Sequence, residues 1–125
     1  MLTFQAATPA LPVRDVPRAV DFYRERLGFV PLHEDRDFSV QRRDNVEVIL
    51  WEANQPTVPG AEPHLAGTAS CRIQVSGLRE LYASCQAQQV IHPNGALTRQ
   101  PWGVDDFSVL DSDGNLLGFY APVGD

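Results

Sequence analysis

Residues 11–29 read LPVRDVPRAVDFYRERLGF, and their spacing decides the fold. Asp15 is placed to cap a helix, Pro17 suits its first turn, and Gly28 stops it. Between them Val16, Val20, Tyr23 and Leu27 recur at helical spacing, with Ala19 and Phe22 widening the apolar stripe. Arg14, Arg18, Asp21, Arg24 and Glu25 fall on the water side. Just upstream, residues 7–13 read as a strand, in which Leu11 and Val13 alternate with smaller or polar neighbours.

The same pattern returns further along the chain. IQVSGLRELYASC at 73–85 lines up with LPVRDVPRAVDFY at 11–23, an offset of 62 from Leu11 to Ile73. Working outward, the first helix is followed by three short strands at roughly 29–33, 37–42 and 46–51, with Arg43-Asp44-Asn45 turning into the last. Residues 52–67, EANQPTVPGAEPHLAG, hold three prolines and two glycines and read as a linker. Residues 68–75 read as a fifth strand. A second helix runs from Gly77 to about Gln88, with Leu78, Leu81, Tyr82 and Cys85 on its apolar face. Strands near 89–97, 104–110 and 115–121 finish the chain. In DSDGN, 111–115, Gly114 at positive φ makes a strand turn; the stretch lacks the length and terminal Glu of an EF-hand loop. The order is thus β-α-β-β-β twice. The expectation is one α+β domain over 1–125, made of two βαβββ modules at about 6–51 and 68–122, whose two curved mixed sheets enclose one cleft.

Composition bounds the function. The chain has 125 residues, 43% hydrophobic and 21% charged, enough for a core without covalent staples. A formal net charge of −6 opposes nucleic acid and anionic membrane surfaces. No apolar run approaches membrane-spanning length and no signal peptide opens the sequence. Two cysteines, Cys71 and Cys85, without a neighbouring His or basic cluster, fit reduced thiols in a cytoplasmic protein.

The motifs LPVRDVPRAVDFYRERLGF, Asp37-Phe38, Gly77-Leu78-Arg79-Glu80-Leu81-Tyr82-Ala83 and QPWG at 100–103 together resemble the vicinal oxygen chelate superfamily: glyoxalase I, extradiol dioxygenases, fosfomycin-resistance enzymes and bleomycin-resistance proteins. The resemblance spans nearly the whole chain and is greatest to the bleomycin-resistance proteins. It implies paired βαβββ modules and a homodimer with ligand crevices at the interface.

Strand alternation assigns faces. Leu11, Val13, Val48, Leu50, Cys71, Ile73, Val75, Leu117 and Phe119 point to the helices. Thr8, Ala10, Pro12, Glu47, Ile49, Trp51, Ser70, Arg72, Gln74, Leu116, Gly118 and Tyr120 then face the cleft. The superfamily's enzymes coordinate a divalent metal at positions that match Thr8, Ile49, Ser70 and Gly118. A catalytic metal site needs His, Asp or Glu at such places. None stands there, and His33, His64 and His92 have no ligand spacing, so neither a metal nor another cofactor is expected. What remains suits a binder. Trp51, Tyr120 and Trp102 offer flat apolar area. Glu47 and Arg72 pair with each other or meet a ligand. The resemblance puts Phe38 and Trp102 on the crevice walls. Asp37 brings negative charge toward a cationic drug tail, while Arg72 and Gln74 stand where the family's reference drug binder has Trp, and Arg72 suits an anionic or carbonyl-bearing ligand better.

The expected function is metal-free sequestration of a small molecule, bleomycin-like or a metabolite, in a dimer-interface crevice, with the chain's own copy as partner. The alternative is a metal-dependent enzyme of the glyoxalase, dioxygenase or thiol-transferase type.

Overall fold

A computed structural model describes residues 1–54 and 61–124. Its elements are β1 (Ala10–Val13), α1 (Val16–Leu27), β2 (Val30–Glu34), β3 (Phe38–Arg43), β4 (Val46–Glu52), a 3-10 turn (Pro63–Leu65), β5 (Ser70–Gln74), α2 (Leu78–Ala87), β6 (Thr98–Arg99), β7 (Val104–Leu110) and β8 (Leu116–Pro122). They form two four-stranded sheets with the same plan, β1-β4-β3-β2 and β5-β8-β7-β6. In each, the strand before the helix pairs in parallel with the last strand of its unit, and the other pairings are antiparallel.

The first helix forms for the reasons its sequence gives. The Asp15 carboxylate accepts from Arg18 N at 3.1 Å, and Gly28 takes the left-handed conformation at φ 72°. Val16, Ala19, Val20, Tyr23 and Leu27 are buried. They meet Leu11, Val13, Val48 and Leu50 in one apolar core, which continues through Ile73, Leu78, Cys85, Phe107, Leu117 and Phe119 of the second sheet and helix. The two strand turns match their chemistry, with Asp44 at φ 51° and Gly114 at φ 99°.

Four expectations need correction. The strand read over 89–97 is not one. Pro93 removes a donor, and the chain turns back so that Gly95 N meets His92 O at 2.8 Å and Ser108 N meets Gly95 O at 3.0 Å. Only an isolated bridge, Ile91 to Val109, and the two-residue β6 remain. Gly95 is wedged there, because a Cβ would lie 2.9 Å from both the Ser108 carbonyl oxygen and His92 Cβ. The first strand starts at Ala10 rather than residue 7, which leaves Thr8 exposed outside the sheet. Pro12 is buried with its neighbours instead of facing an open cleft. Of the linker read over 52–67, Glu52 ends β4, Pro63–Leu65 form the 3-10 turn, and 55–60 lie outside the described residues.

Polar contacts knit the sheets together where that core passes between them. Tyr23 Oη donates to Asp111 Oδ2 at 2.8 Å, and both residues are buried. Asp111 also accepts from Asp113 N, Asn115 N and Asn115 Nδ2. The free edge of β1 is tied down at Pro12 O, which accepts from Gly67 N at 3.1 Å and Asn115 Nδ2 at 2.9 Å. Arg14 closes the seam onto Asp113 at 3.1 Å.

Candidate ligand-binding face

The sheet faces turned away from the helices carry the predicted site residues. In β4, Val48 and Leu50 are buried, while Glu47, Ile49 and Trp51 are partly open on the opposite side. β3 runs beside it in the register Phe38–Trp51, Val40–Ile49 and Arg42–Glu47. Here the alternation is reversed from the usual one. Ser39 and Gln41 point inward and are fully buried, whereas Phe38, 38% exposed, and Val40 point outward. Val30 and Leu32 of the edge strand, 60% and 58% exposed, border the same patch. Gln41's amide finds no partner among the described residues. A strand that spends its apolar residues on the open face and buries an unbonded amide marks that face as a candidate contact surface.

Carboxylates stand at the end of the aromatic pair. The Asp37 carbonyl accepts from Glu52 N at 3.0 Å. Burial and the Asp37 carboxylate beside it push the Glu52 carboxyl above its ordinary range. Asp37 thus adjoins Phe38, whose strand partner is Trp51, and Glu52 adds a second acid that the sequence reading missed.

The second open face is polar. Arg72 stacks over the Tyr120 ring at 4.5 Å and lies 3.8 Å from Asp106, whose other oxygen accepts from Gln100 Nε2 at 2.9 Å. Tyr120 Oη is 3.5 Å from the Gln74 amide oxygen. Of the two alternatives for Glu47 and Arg72, the mutual pair is not formed: Glu47 faces Arg42 at 3.8 Å, because the β3–β4 register sets those two opposite each other. Glu47 and Arg72 nonetheless line one cavity of about 270 Å³. Trp102 stands apart, 65% exposed in the turn between β6 and β7, and no ring of the described residues stacks on it. Asp106 and Val40 escaped sequence reading; the alternation of Phe38-Ser39-Val40-Gln41 was the available signal for Val40.

The four positions that would hold a superfamily metal do not fit one. Ile49 and Gly118 have no donor atoms in their side chains, and Thr8 and Ser70 offer only neutral hydroxyls. Among the described residues no three His, Cys, Asp or Glu side chains converge. The thiols are not primed for chemistry either: burial, then Asp111, pushes Cys71 up to about 11, and burial also raises Cys85.

Two βαβββ units of one topology, with their helices on one side and open faces on the other, match a known pattern. The glyoxalase/bleomycin resistance protein/dioxygenase superfamily matches residues 5–119. This chain belongs to that superfamily. Bleomycin resistance proteins of Geobacillus stearothermophilus and of Staphylococcus aureus are each 40% identical to it, over 92% of this chain and 95% of theirs. A bleomycin resistance determinant of the transposon Tn5 superposes with a TM-score of 0.76 at 28% identity, covering 96% of this chain and 99% of that one. The bleomycin-binding protein of Streptomyces verticillus, solved with copper(II)-bleomycin, gives a TM-score of 0.76 at 29% identity over 97% and 98%. No helix among the described residues is long and apolar enough to cross a membrane.

Proposed function

We propose that this superfamily member binds a bleomycin-type glycopeptide and confers resistance by sequestering it, with no bond made or broken. The reversed alternation of β3 carries the reading. It turns Phe38 and Val40 outward beside Trp51 and Ile49, at the cost of burying Ser39 and Gln41. Such a face serves a flat apolar ligand group. Asp37 and Glu52 add negative charge for a cationic tail, and the relatives' names point to the same drug. The proposed ligand-contacting set is Phe38, Trp51, Glu47, Arg72, Tyr120, Asp37 and Trp102. Val30 and Leu32, bare in one copy, are the reason to propose a homodimer in which a second copy covers them. In this reading the modules 6–51 and 68–122 act as one domain, and the unpaired thiols suit the cytoplasm.

The test is a titration of metal-free bleomycin into the protein, followed by tryptophan fluorescence. Trp51 and Trp102 are the two reporters, and single Trp→Phe variants assign the signal. Saturable quenching through Trp51 is the expected result. A flat signal in both variants and the wild type would remove the drug reading. Sedimentation at several concentrations checks the dimer.

A further inference from the structure

We propose that the cavity lined by Glu47 and Arg72 is a subsite for an amphoteric group, one carrying both an ammonium and a carboxylate. The proposal rests on the small-molecule reading above and refines it. The two residues come from different modules, Glu47 from β4 and Arg72 from β5, yet both line the same cavity. Each is half open, with side chains 41% and 53% exposed.

Neither charge is fully used. Among the described residues the ion-pair partner of Glu47 is Arg42 at 3.8 Å and that of Arg72 is Asp106 at 3.8 Å, both beyond hydrogen-bond reach. Among the described residues neither side chain makes a hydrogen bond. Arg72 Cζ instead lies over the Tyr120 ring, 4.5 Å from its centroid, a cation–π contact that uses none of its N–H donors and leaves them for a carboxylate. The rest of the lining is mixed: Ala7, Pro9, Val46 and Ile73 are apolar, Asn45 and Gln74 polar.

A singly charged ligand would gain at one end of this cavity and be repelled at the other. A zwitterion exchanges two loose contacts for two hydrogen-bonded ones. At about 270 Å³ the space falls below the roughly 300 Å³ at which drug-sized sites begin. It takes a fragment: a free amino acid, or the corresponding part of a larger peptide-like ligand.

The experiment is a titration of the full ¹⁵N-labelled chain with L-leucine, L-leucinamide and N-acetyl-L-leucine, read by amide chemical shifts. Leucine should move the amides of 45–47 and 72–74, and each blocked analogue should bind about tenfold more weakly, the loss of one charged contact. Glu47→Gln should erase the preference over N-acetyl-leucine alone, and Arg72→Gln the preference over leucinamide alone. Both positions are half exposed, so both variants stay folded. Equal response to the three probes, or a leucine response confined to other residues, would overturn the subsite. The same samples receive metal-free bleomycin. Drug binding without leucine discrimination sinks the subsite and keeps the drug reading; leucine discrimination without drug binding does the reverse.

Discussion

The two sheets share a topology and differ in how they dispose of apolar residues. β3 and β7 occupy equivalent places, with Gln41 opposite Val48 as Val109 is opposite Leu117, and Ser39 opposite Leu50 as Phe107 is opposite Phe119. β7 buries Phe107 and Val109 and turns Asp106 and Ser108 outward. β3 does the opposite. The second sheet therefore behaves as an ordinary amphipathic sheet with a polar open face. The first gives up inward packing to present Phe38 and Val40, beside Trp51 and Ile49. One unit puts its apolar residues into packing and the other leaves some of them outside it, the pattern expected where stability and function trade off.

The sharpest way to break this comparison is to truncate the equivalent rings. Phe107→Ala should cost about 3–5 kcal/mol, since Phe107 is buried against Tyr82 and Phe119 with ring centroids 5.0 and 5.4 Å away. Phe38→Ala should cost under about 1 kcal/mol, yet weaken bleomycin binding by about tenfold or more. Urea unfolding and the fluorescence titration read the two effects. Equal stability losses would end the division of labour.

Next in size is the seam that joins the units. Asp111→Ala should destabilise by about 3 kcal/mol, because it strands the Tyr23 hydroxyl and the amides of Asp113 and Asn115. Tyr23→Phe removes one bond of that set and should cost about 1–2 kcal/mol. This contact also predicts an alkaline limit. Burial, then the Asp111 carboxylate, raises the Tyr23 pKa well above its ordinary 10.0. The folded state thus favours the neutral phenol, so this stabilisation is complete below pH 10 and drains as pH climbs toward the folded-state value. Spectrophotometric titration should show Tyr23 ionising only as the fold opens, and Tyr23→Phe should flatten the loss of stability at high pH.

The smallest effect has the opposite sign. Gln41 is fully buried and its amide is unbonded among the described residues. Gln41→Met keeps the shape and removes that burden, so the melting temperature should rise, by about 1 kcal/mol of stability. A drop would mean that the amide is satisfied in solution and that β3 bears less strain than its alternation implies.

How much of this was legible depends on range in sequence. Helix α1 with its Asp15 and Gly28 caps, the turns at Asp44 and Gly114, and the inward residues of β4 and β8 all follow from neighbours a few positions apart, and all could be read. The repeat was legible because its register recurs. The crossing at Gly95 was not: 89–97 was read as a strand, while the tight approach to Ser108 depends on a partner in β7. The seam was invisible, since Tyr23 and Asp111 lie 88 positions apart and a single polar pair leaves no periodic trace. In the candidate site, single residues such as Phe38, Trp51 and Arg72 could be nominated. Which charge faces which could not, because the Arg42–Glu47 and Arg72–Asp106 contacts are products of strand register.

The Tyr23–Asp111 contact also bears on how a duplicated unit diverges. By the offset of the repeat, Tyr23 corresponds to Cys85, and by strand register Asp111 corresponds to Arg43. The mirror of the seam therefore sets Cys85 near Arg43, whose charge does act on that thiol. The two joints are no longer alike. A chain made of two first units would bring Arg43 to a buried phenol, and one made of two second units would bring Asp111 to a buried thiol. Each joint is matched across the two halves and would be mismatched in a pair of identical halves.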